Sequence, residues 1–190
     1  MIKKDFRKYM IGIRKNKDSE FIDNNSLIIS DKFLSLDFID NAKNIMLYLD
    51  FNNEVKTGYL INKLLSFKKS ISSPVTIIND KKLIPYEINS QDDFKIGAYG
   101  IKEPNTSYCT KVNVSDIDIV IVPAVAYDKN CYRLGYGGGY YDRFLSNLKE
   151  DTIFIGLAFD FQICDIIPKE EHDIQLDYVI TESQILSSYK

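Results

Sequence analysis

A single histidine, His172, stands in these 190 residues. Zinc centres that need two or three histidines are thereby excluded, and at most one Ser–His–Asp arrangement is possible. Cysteine is scarce as well. Cys109, Cys131 and Cys164 form neither a CxxC pair nor a metal-ligand cluster. An odd, scattered set predicts unpaired thiols and a reducing, cytoplasmic setting. No run of about 18 apolar residues occurs, so no membrane span is expected. The charged start "MIKKDFRKYM" lacks the apolar stretch of a secretory signal. With a net charge of −3 the chain has no global attraction to nucleic acid or acidic membranes. Internal repeats, Pro-rich linkers and low-complexity tracts are also missing. What is present, 45% hydrophobic and 13% aromatic residues, suffices for one sizeable core. The length predicts one domain over 1–190.

The apolar residues Phe6, Tyr9, Met10 and Ile13 recur at three- and four-residue steps, which predicts an amphipathic first helix. A second helix is expected from Ser19, a candidate N-cap, toward Leu36. "NIMLYLD" (44–50) reads as a buried strand and "NEVKTGYLINKLLSFKK" (53–69) as another amphipathic helix. "SPVTIIN" and "KKLIPYEI" read as strands separated by turn residues. In "DIDIVIVP" (116–123) five of six consecutive positions are apolar, the pattern of a strand covered on both faces. Pro123 stops it, a connecting loop follows, and glycines lead into "YYDRFLSNLKE" with helical spacing. "TIFIGLAF" (152–159) and "DYVIT" (177–181) are further strands. Alternating strands and helices predict an α/β fold: a mainly parallel central sheet flanked by helices, a Rossmann-like three-layer architecture. Ligands of such sheets sit beyond the carboxyl ends of the strands.

"RLGYGGGYYDRFL" (133–145) places Gly135, Gly137, Gly138 and Gly139, four of the nine glycines, within five positions. Without Cβ atoms, a bound group can approach main-chain N–H donors closely, and positive φ costs little. Phosphate is the natural guest of such amides at a helix start. Neither standard motif is met, because GxxxxGK[ST] is absent and Tyr140 stands where GxGxxG needs its third glycine. A tight strand-to-helix turn accounts for the glycines equally well. Arg133 can clamp a pair of phosphoryl oxygens. Asp142 can hold Mg²⁺ or simply complement a helix dipole. Lys3 and Arg7, four apart, share a helix face suited either to a polyphosphate or to water.

Taken together these residues resemble the 5-formyltetrahydrofolate cyclo-ligase family, also called 5,10-methenyltetrahydrofolate synthetases. The likeness rests on Pro123, Tyr127, Asp128, Arg133, Leu134, Gly135, Gly137, Gly139, Tyr140, Tyr141 and Asp142 in order. It extends through the basic first helix, "NNEVKTGYLI", "YGIKEP" (99–104), "GLAFDFQI" (156–163) and "PKEEHDIQLDYVIT". Departures are Ala124 for a common glycine, "NCYR" for Gly-Asn before arginine, Tyr99 for tryptophan, and Gly138 for a common lysine.

The resemblance implies an ATP- and Mg²⁺-dependent ring closure of 5-formyltetrahydrofolate to 5,10-methenyltetrahydrofolate, with ADP and phosphate released. It implies nucleotide contacts from Lys3, Lys4, Arg7, Arg133 and Leu134, and from Gly135, Tyr136, Gly137, Gly138, Gly139, Tyr140 and Tyr141. Leu49 and Glu54 match folate-contacting positions, with Tyr136, Gly137, Gly138, Gly139 and Tyr140 bordering both substrates. Arg133, Tyr140 and Asp142 are the residues expected to carry catalysis, and Asp142 and Asp173 to coordinate Mg²⁺. Glu103 is a weaker site candidate. The implied partners are the two small substrates, without nucleic acid or membrane, in a monomer or weak homodimer. Two rival expectations are a nucleotide-independent enzyme on a related scaffold and a non-catalytic ligand sensor.

Overall fold

A computed structural model describes residues 2–90 and 93–188. The chain opens with two helices, α1 (Lys3–Lys15) and α2 (Ser19–Leu34). Asp18, not Ser19, caps α2: its carboxylate accepts the Phe21 amide, an orphan donor of the first turn, at 2.8 Å. Then come β1 (Asn44–Met46), α3 (Gly58–Ser66), β2 (Ser70–Ile77) and β3 (Lys82–Glu87). A hairpin of β4 (Phe94–Ile96) and β5 (Lys102–Pro104) follows. Next are β6 (Ile119–Val122), β7 (Ala126–Asp128), β8 (Arg133–Leu134) and α4 (Tyr140–Leu145). The last elements are β9 (Ile153–Leu157), β10 (Ile163–Cys164), β11 (Tyr178–Ile180) and β12 (Ile185–Ser187).

The main sheet runs β12-β11-β9-β6-β1-β2-β3. Its five inner strands are parallel, and only the edge strands β3 and β12 pair antiparallel. Alternation across β6 explains why its sequence is apolar throughout. Ile119 and Ile121 join the cluster under α2 and α3, with Ile29, Phe33, Leu60 and Leu64. Val120 and Val122 face the opposite layer, with Phe144, Leu145 and Leu176. Both faces of the sheet are therefore covered, and the expected three-layer α/β arrangement is present. Each fully buried Leu, Ile or Phe contributes about 1.5–3 kcal/mol relative to exposure, so the two layers supply the main driving force.

The segment after Pro123 differs from the connecting loop expected there. β7 and β8 form a hairpin, and β10 adds to β7, making a separate three-stranded sheet in the order β10-β7-β8. Its turn is built around buried Asp128. One carboxylate oxygen accepts the Asn130 and Tyr132 amides (3.0 and 2.9 Å), and the other accepts Ile167 N–H (3.1 Å). The Tyr127 ring lies over Gly156, where a Cβ would come within 2.4 Å of it, so only glycine fits there. Phe6, Met10 and Ile13 of α1 pack on Val125, Ala126, Leu134 and Ile167. The small sheet thus carries the first helix to the carboxyl ends of β1 and β6. That places α1 beside the glycine segment.

Candidate active site

Beyond Met46 the chain continues, still buried, through Leu47, Tyr48 and Leu49. The expected strand 44–50 thus keeps its burial but pairs only to Met46 in the parallel ladder. It then turns at Asn52 and Asn53, both at positive φ (51° and 60°). Asp50 holds this turn by accepting Thr57 N–H and Thr57 Oγ1 at 3.0 and 3.2 Å. α3 consequently begins at Gly58, not near Asn53. Glu54 lies within the turn and is buried, its Oε2 accepting Phe51 N–H at 3.0 Å.

Around Glu54 a crevice opens at the carboxyl end of the sheet, too narrow for a water molecule, lined by Arg14, Tyr48, Pro123, Ala124 and Gln162 among others. The Arg14 guanidinium enters from α1. Its Nε donates to Asn52 O (3.0 Å), and one terminal nitrogen donates to the Tyr136 hydroxyl (2.9 Å). The other approaches Glu54 Oε1 at 3.8 Å. Tyr136 donates its own hydroxyl proton to Glu54 Oε1. Burial pushes the Glu54 carboxyl above its ordinary range, while Arg14, Tyr136 and the Phe51 amide pull the other way. Leu49 belongs to the core cluster beneath the crevice.

The glycine segment forms the rim on the α1 side. Arg7 Nε donates to Gly135 O at 2.7 Å, and its guanidinium lies about one van der Waals contact (3.5 Å) from where a Gly137 Cβ would sit. Gly137 and Gly139 adopt φ of +97° and +64°, conformations that a side chain would strain. Gly139 caps α4, which has only six residues. Bare loop amides are therefore a larger feature here than any helix dipole. Arg143 braces the loop, donating to Gly138 O (2.6 Å) and to Lys81 O (3.1 Å). Tyr140 meets Tyr99 hydroxyl to hydroxyl at 3.0 Å. Leu134 is a core residue that reaches the site only through its backbone.

Behind the loop, the buried Arg133 guanidinium donates to Ile174 O (2.6 Å) and to Asp142 Oδ1 (2.5 Å). Asp142 Oδ1 also accepts Ile174 N–H at 3.5 Å, which places Asp142 beside the chain at Asp173. Lys3 Nζ donates to Glu170 (3.0 Å) and to Asp173 Oδ2 (3.1 Å). Burial opposes charge on both partners but is outweighed: the Glu170 and Asp173 carboxylates hold Lys3 above its usual pKa, and the Glu170 amide together with Lys3 holds Asp173 below. The Tyr141 hydroxyl is buried without a hydrogen-bond partner among the described residues, and burial pushes its pKa up.

Most of the expected residues therefore converge. Lys3, Arg7, Arg133, Asp142, Asp173 and the loop 135–139 occupy one side, and Glu54 the other, with Tyr136 touching both. Lys4 lies exposed on α1, and no contact ties it to the loop among the described residues. Glu103 is not at the site: its buried carboxylate accepts Thr76 N–H (3.0 Å) and fastens the β4–β5 hairpin to β2. His172 is exposed. All three cysteines are free, and burial pushes the Cys131 and Cys164 thiols up to about 11, which removes them as thiolate nucleophiles near neutrality. Arg14 was missed by the sequence reading. It follows Arg7 by seven residues, two turns along the same helix face, a spacing that by itself does not separate a buried arginine from a solvated one. Among the described residues no cluster of three or more His, Cys, Asp or Glu converges on one point, and no helix is long and apolar enough to cross a membrane.

A parallel α/β sheet with its crevice at the strands' carboxyl ends, rimmed by a glycine loop, defines a ligand-binding protein of the open-sheet class. The profile of the 5-formyltetrahydrofolate cyclo-ligase family matches residues 2–182, and the chain belongs to that family of enzymes. The Haemophilus influenzae 5-formyltetrahydrofolate cyclo-ligase is 35% identical over 137 residues, 71% of this chain and 73% of that one. The Escherichia coli protein of the same name is 33% identical over 146 residues, 76% and 80% of the two chains. Among solved structures, Aquifex aeolicus 5,10-methenyltetrahydrofolate synthetase superposes with a TM-score of 0.87 at 30% identity. That match covers 100% of this chain and 94% of the other.

Proposed function

We propose that this chain converts 5-formyltetrahydrofolate to 5,10-methenyltetrahydrofolate, consuming ATP with Mg²⁺ and releasing ADP and phosphate. The observation that carries the reading is the position of Tyr136. It lies inside the glycine loop yet hydrogen-bonds Glu54 in the crevice, so one loop borders two seats. A reaction that passes a phosphoryl group from nucleotide to folate needs such a shared border.

In this reading the crevice, closed to water as it stands, widens so that the pterin's amino edge donates to Glu54, and Leu49 supports the seat from below. Lys3, Arg7 and the amides of 135–141 hold the triphosphate, with Arg133 behind them. The formyl oxygen attacks the terminal phosphorus and ADP departs. Phosphorylation is needed because an amide oxygen is otherwise a poor leaving group. The N10 amine then attacks the formyl carbon, the carbon–oxygen bond breaks to release phosphate, and the N10 proton is lost. Tyr140 borders the transferred group and Arg133 lends its charge from behind the loop, and the protein acts by positioning and charge stabilisation without a covalent nucleophile.

Asp142 and Asp173 would hold the Mg²⁺. The donor chemistry suits the ion: both are carboxylates, Asp142 meets the chain at Ile174 next to Asp173, and among the described residues the hydrogen bonds of each fall on one oxygen, Oδ1 of Asp142 and Oδ2 of Asp173. Hard oxygen donors in small number suit an ion that keeps several waters. When bound, Mg²⁺ neutralises charge on the phosphate oxygens. The unpartnered Tyr141 hydroxyl is a further polar group that a ligand or water can satisfy.

The test is the appearance of the methenyl product's absorbance with purified protein, 5-formyltetrahydrofolate and MgATP. Signal should vanish when ATP or Mg²⁺ is omitted. Turnover without nucleotide would overturn the proposal.

A further inference from the structure

We infer that Arg14 is a positioning residue for folate, acting through Glu54 and Tyr136: it holds the Glu54 carboxylate charged and aimed into the crevice. The inference rests on the reading of Glu54 as the pterin acceptor.

Arg14 is buried although it lies on an N-terminal helix whose other basic residues reach the surface or the rim. All three of its nitrogens are engaged at the crevice: Nε with Asn52 O, one terminal nitrogen with the Tyr136 hydroxyl, and the other 3.8 Å from Glu54 Oε1. The chain of donors has one direction. Arg14 donates to Tyr136, whose hydroxyl donates to Glu54. A buried guanidinium that serves only packing has no need to end on the one carboxylate lining the crevice.

The groups facing Glu54 are few. Arg14 comes from α1, Tyr136 from the glycine loop, and Tyr48 and Asp50 from the segment after β1. Tyr127 of β7 and Tyr141 of α4 are close enough to interact with it electrostatically. Arg14 is the cation that leads in this set; Arg133 acts on Tyr127 and Tyr141. Burial and Asp50 favour the protonated acid, and Arg14 leads the opposing influences. Without it the carboxylate takes up a proton at higher pH and ceases to be the acceptor that an amino-edge ligand needs.

The experiment measures the affinity for 5-formyltetrahydrofolate without nucleotide, so that no turnover occurs, from the ordinary carboxylate range upward, roughly pH 4 to 9. Wild type, Arg14→Met, Arg14→Lys, Tyr136→Phe and Glu54→Gln are compared, with one ligand throughout so that its own titration cancels. Arg14→Met should move the acid-side loss of affinity to higher pH, and each unit of displacement reads as about a tenfold loss on that side. Arg14→Lys keeps the charge and should return the profile to its wild-type position. Tyr136→Phe removes the other side-chain donor and should move it in the same direction by less; it carries the test should Arg14→Met not fold. An equal loss at every pH in Arg14→Met, or an unmoved profile in Tyr136→Phe, overturns the inference while leaving Glu54 as acceptor. Unchanged affinity in Glu54→Gln overturns the reading of Glu54 itself, and the inference with it.

Discussion

Replacing Asp142 by alanine separates a structural ion pair from a metal ligand. The side chain of Arg133 is 4% exposed and that of Asp142 24%, so the substitution leaves a buried guanidinium without its counter-charge. Breaking a buried pair costs about 3–5 kcal/mol, and partial access of water at Asp142 places this case at the low end. Arg133 retains Ile174 O, which limits the loss further. The expectation is about 2–3 kcal/mol, which for a chain of this length is a fall in Tm of about 5–10 °C. Asp142→Asn keeps an acceptor but drops the charge, and should lose only about 1–2 kcal/mol. Thermal unfolding by circular dichroism, without ligand and then with MgATP, measures both effects. Without ligand the order of stability should be wild type, Asn, Ala. With MgATP the stabilisation that depends on Mg²⁺ should disappear in both variants. Ligand-free stability of Asp142→Ala within about 0.5 kcal/mol of wild type would refute the ion-pair reasoning. The double substitution Arg133→Met, Asp142→Leu removes both charges and should be less destabilised than Asp142→Ala, because no orphaned charge remains.

Gly97→Ala should destabilise the protein by about 1–3 kcal/mol in urea unfolding, since a Cβ there would lie 2.0 Å from Glu103 Oε2 and displace the carboxylate that binds Thr76. An unaffected midpoint would mean that Glu103 does not fasten the hairpin. The Lys3–Asp173 pair has two pH limbs. Asp173 is held below its unfolded pKa, so its contribution is present above about pH 4 and is lost as pH falls through the lower folded value. Lys3 is held above its unfolded pKa, so its contribution is present below about pH 10 and is lost as pH rises through the folded value. Lys3→Met should abolish the alkaline limb and reduce the acid limb, of which the Glu170 amide keeps a share, and unchanged limbs would show the pair to be without weight.

The sheet's inner strands were legible because burial on two faces leaves a continuous apolar run, as in "IVIV" of β6. The β7–β8 hairpin was not. Its strands have three and two residues, and its turn passes through Cys131 at φ of 62°, a residue that carries no turn signal. Asp128 makes that turn through its carboxylate, a contact which needs the tertiary position of Ile167 as well. α3 was read too long because the apolar period does not reveal that Asn52 and Asn53 bend the chain first. At the site, Arg133, Asp142 and the glycines could be picked out from their spacing. Their pairing could not, because Ile174 joins Arg133 to Asp142 from 41 residues away in one case and 32 in the other. Arg14 was hidden for a different reason: a basic residue on an amphipathic helix looks solvated until the helix is placed.

The polar face of α1 is satisfied late in the life of the chain. Lys3, Arg7 and Arg14 find Asp173, Gly135 and Tyr136 at separations of 170, 128 and 122 residues. As the polypeptide leaves the ribosome, this helix emerges before those partners and stays without them until residues 135–173 have been made. Loop-closure entropy must be met before such contacts reward it. Assembly of the crevice is then among the final events of biosynthesis, and a nascent chain stalled before the glycine loop holds its first helices but neither the rim of the crevice nor Ile155, Leu157, Phe159 and Ile180, which complete the layer beneath α2 and α3.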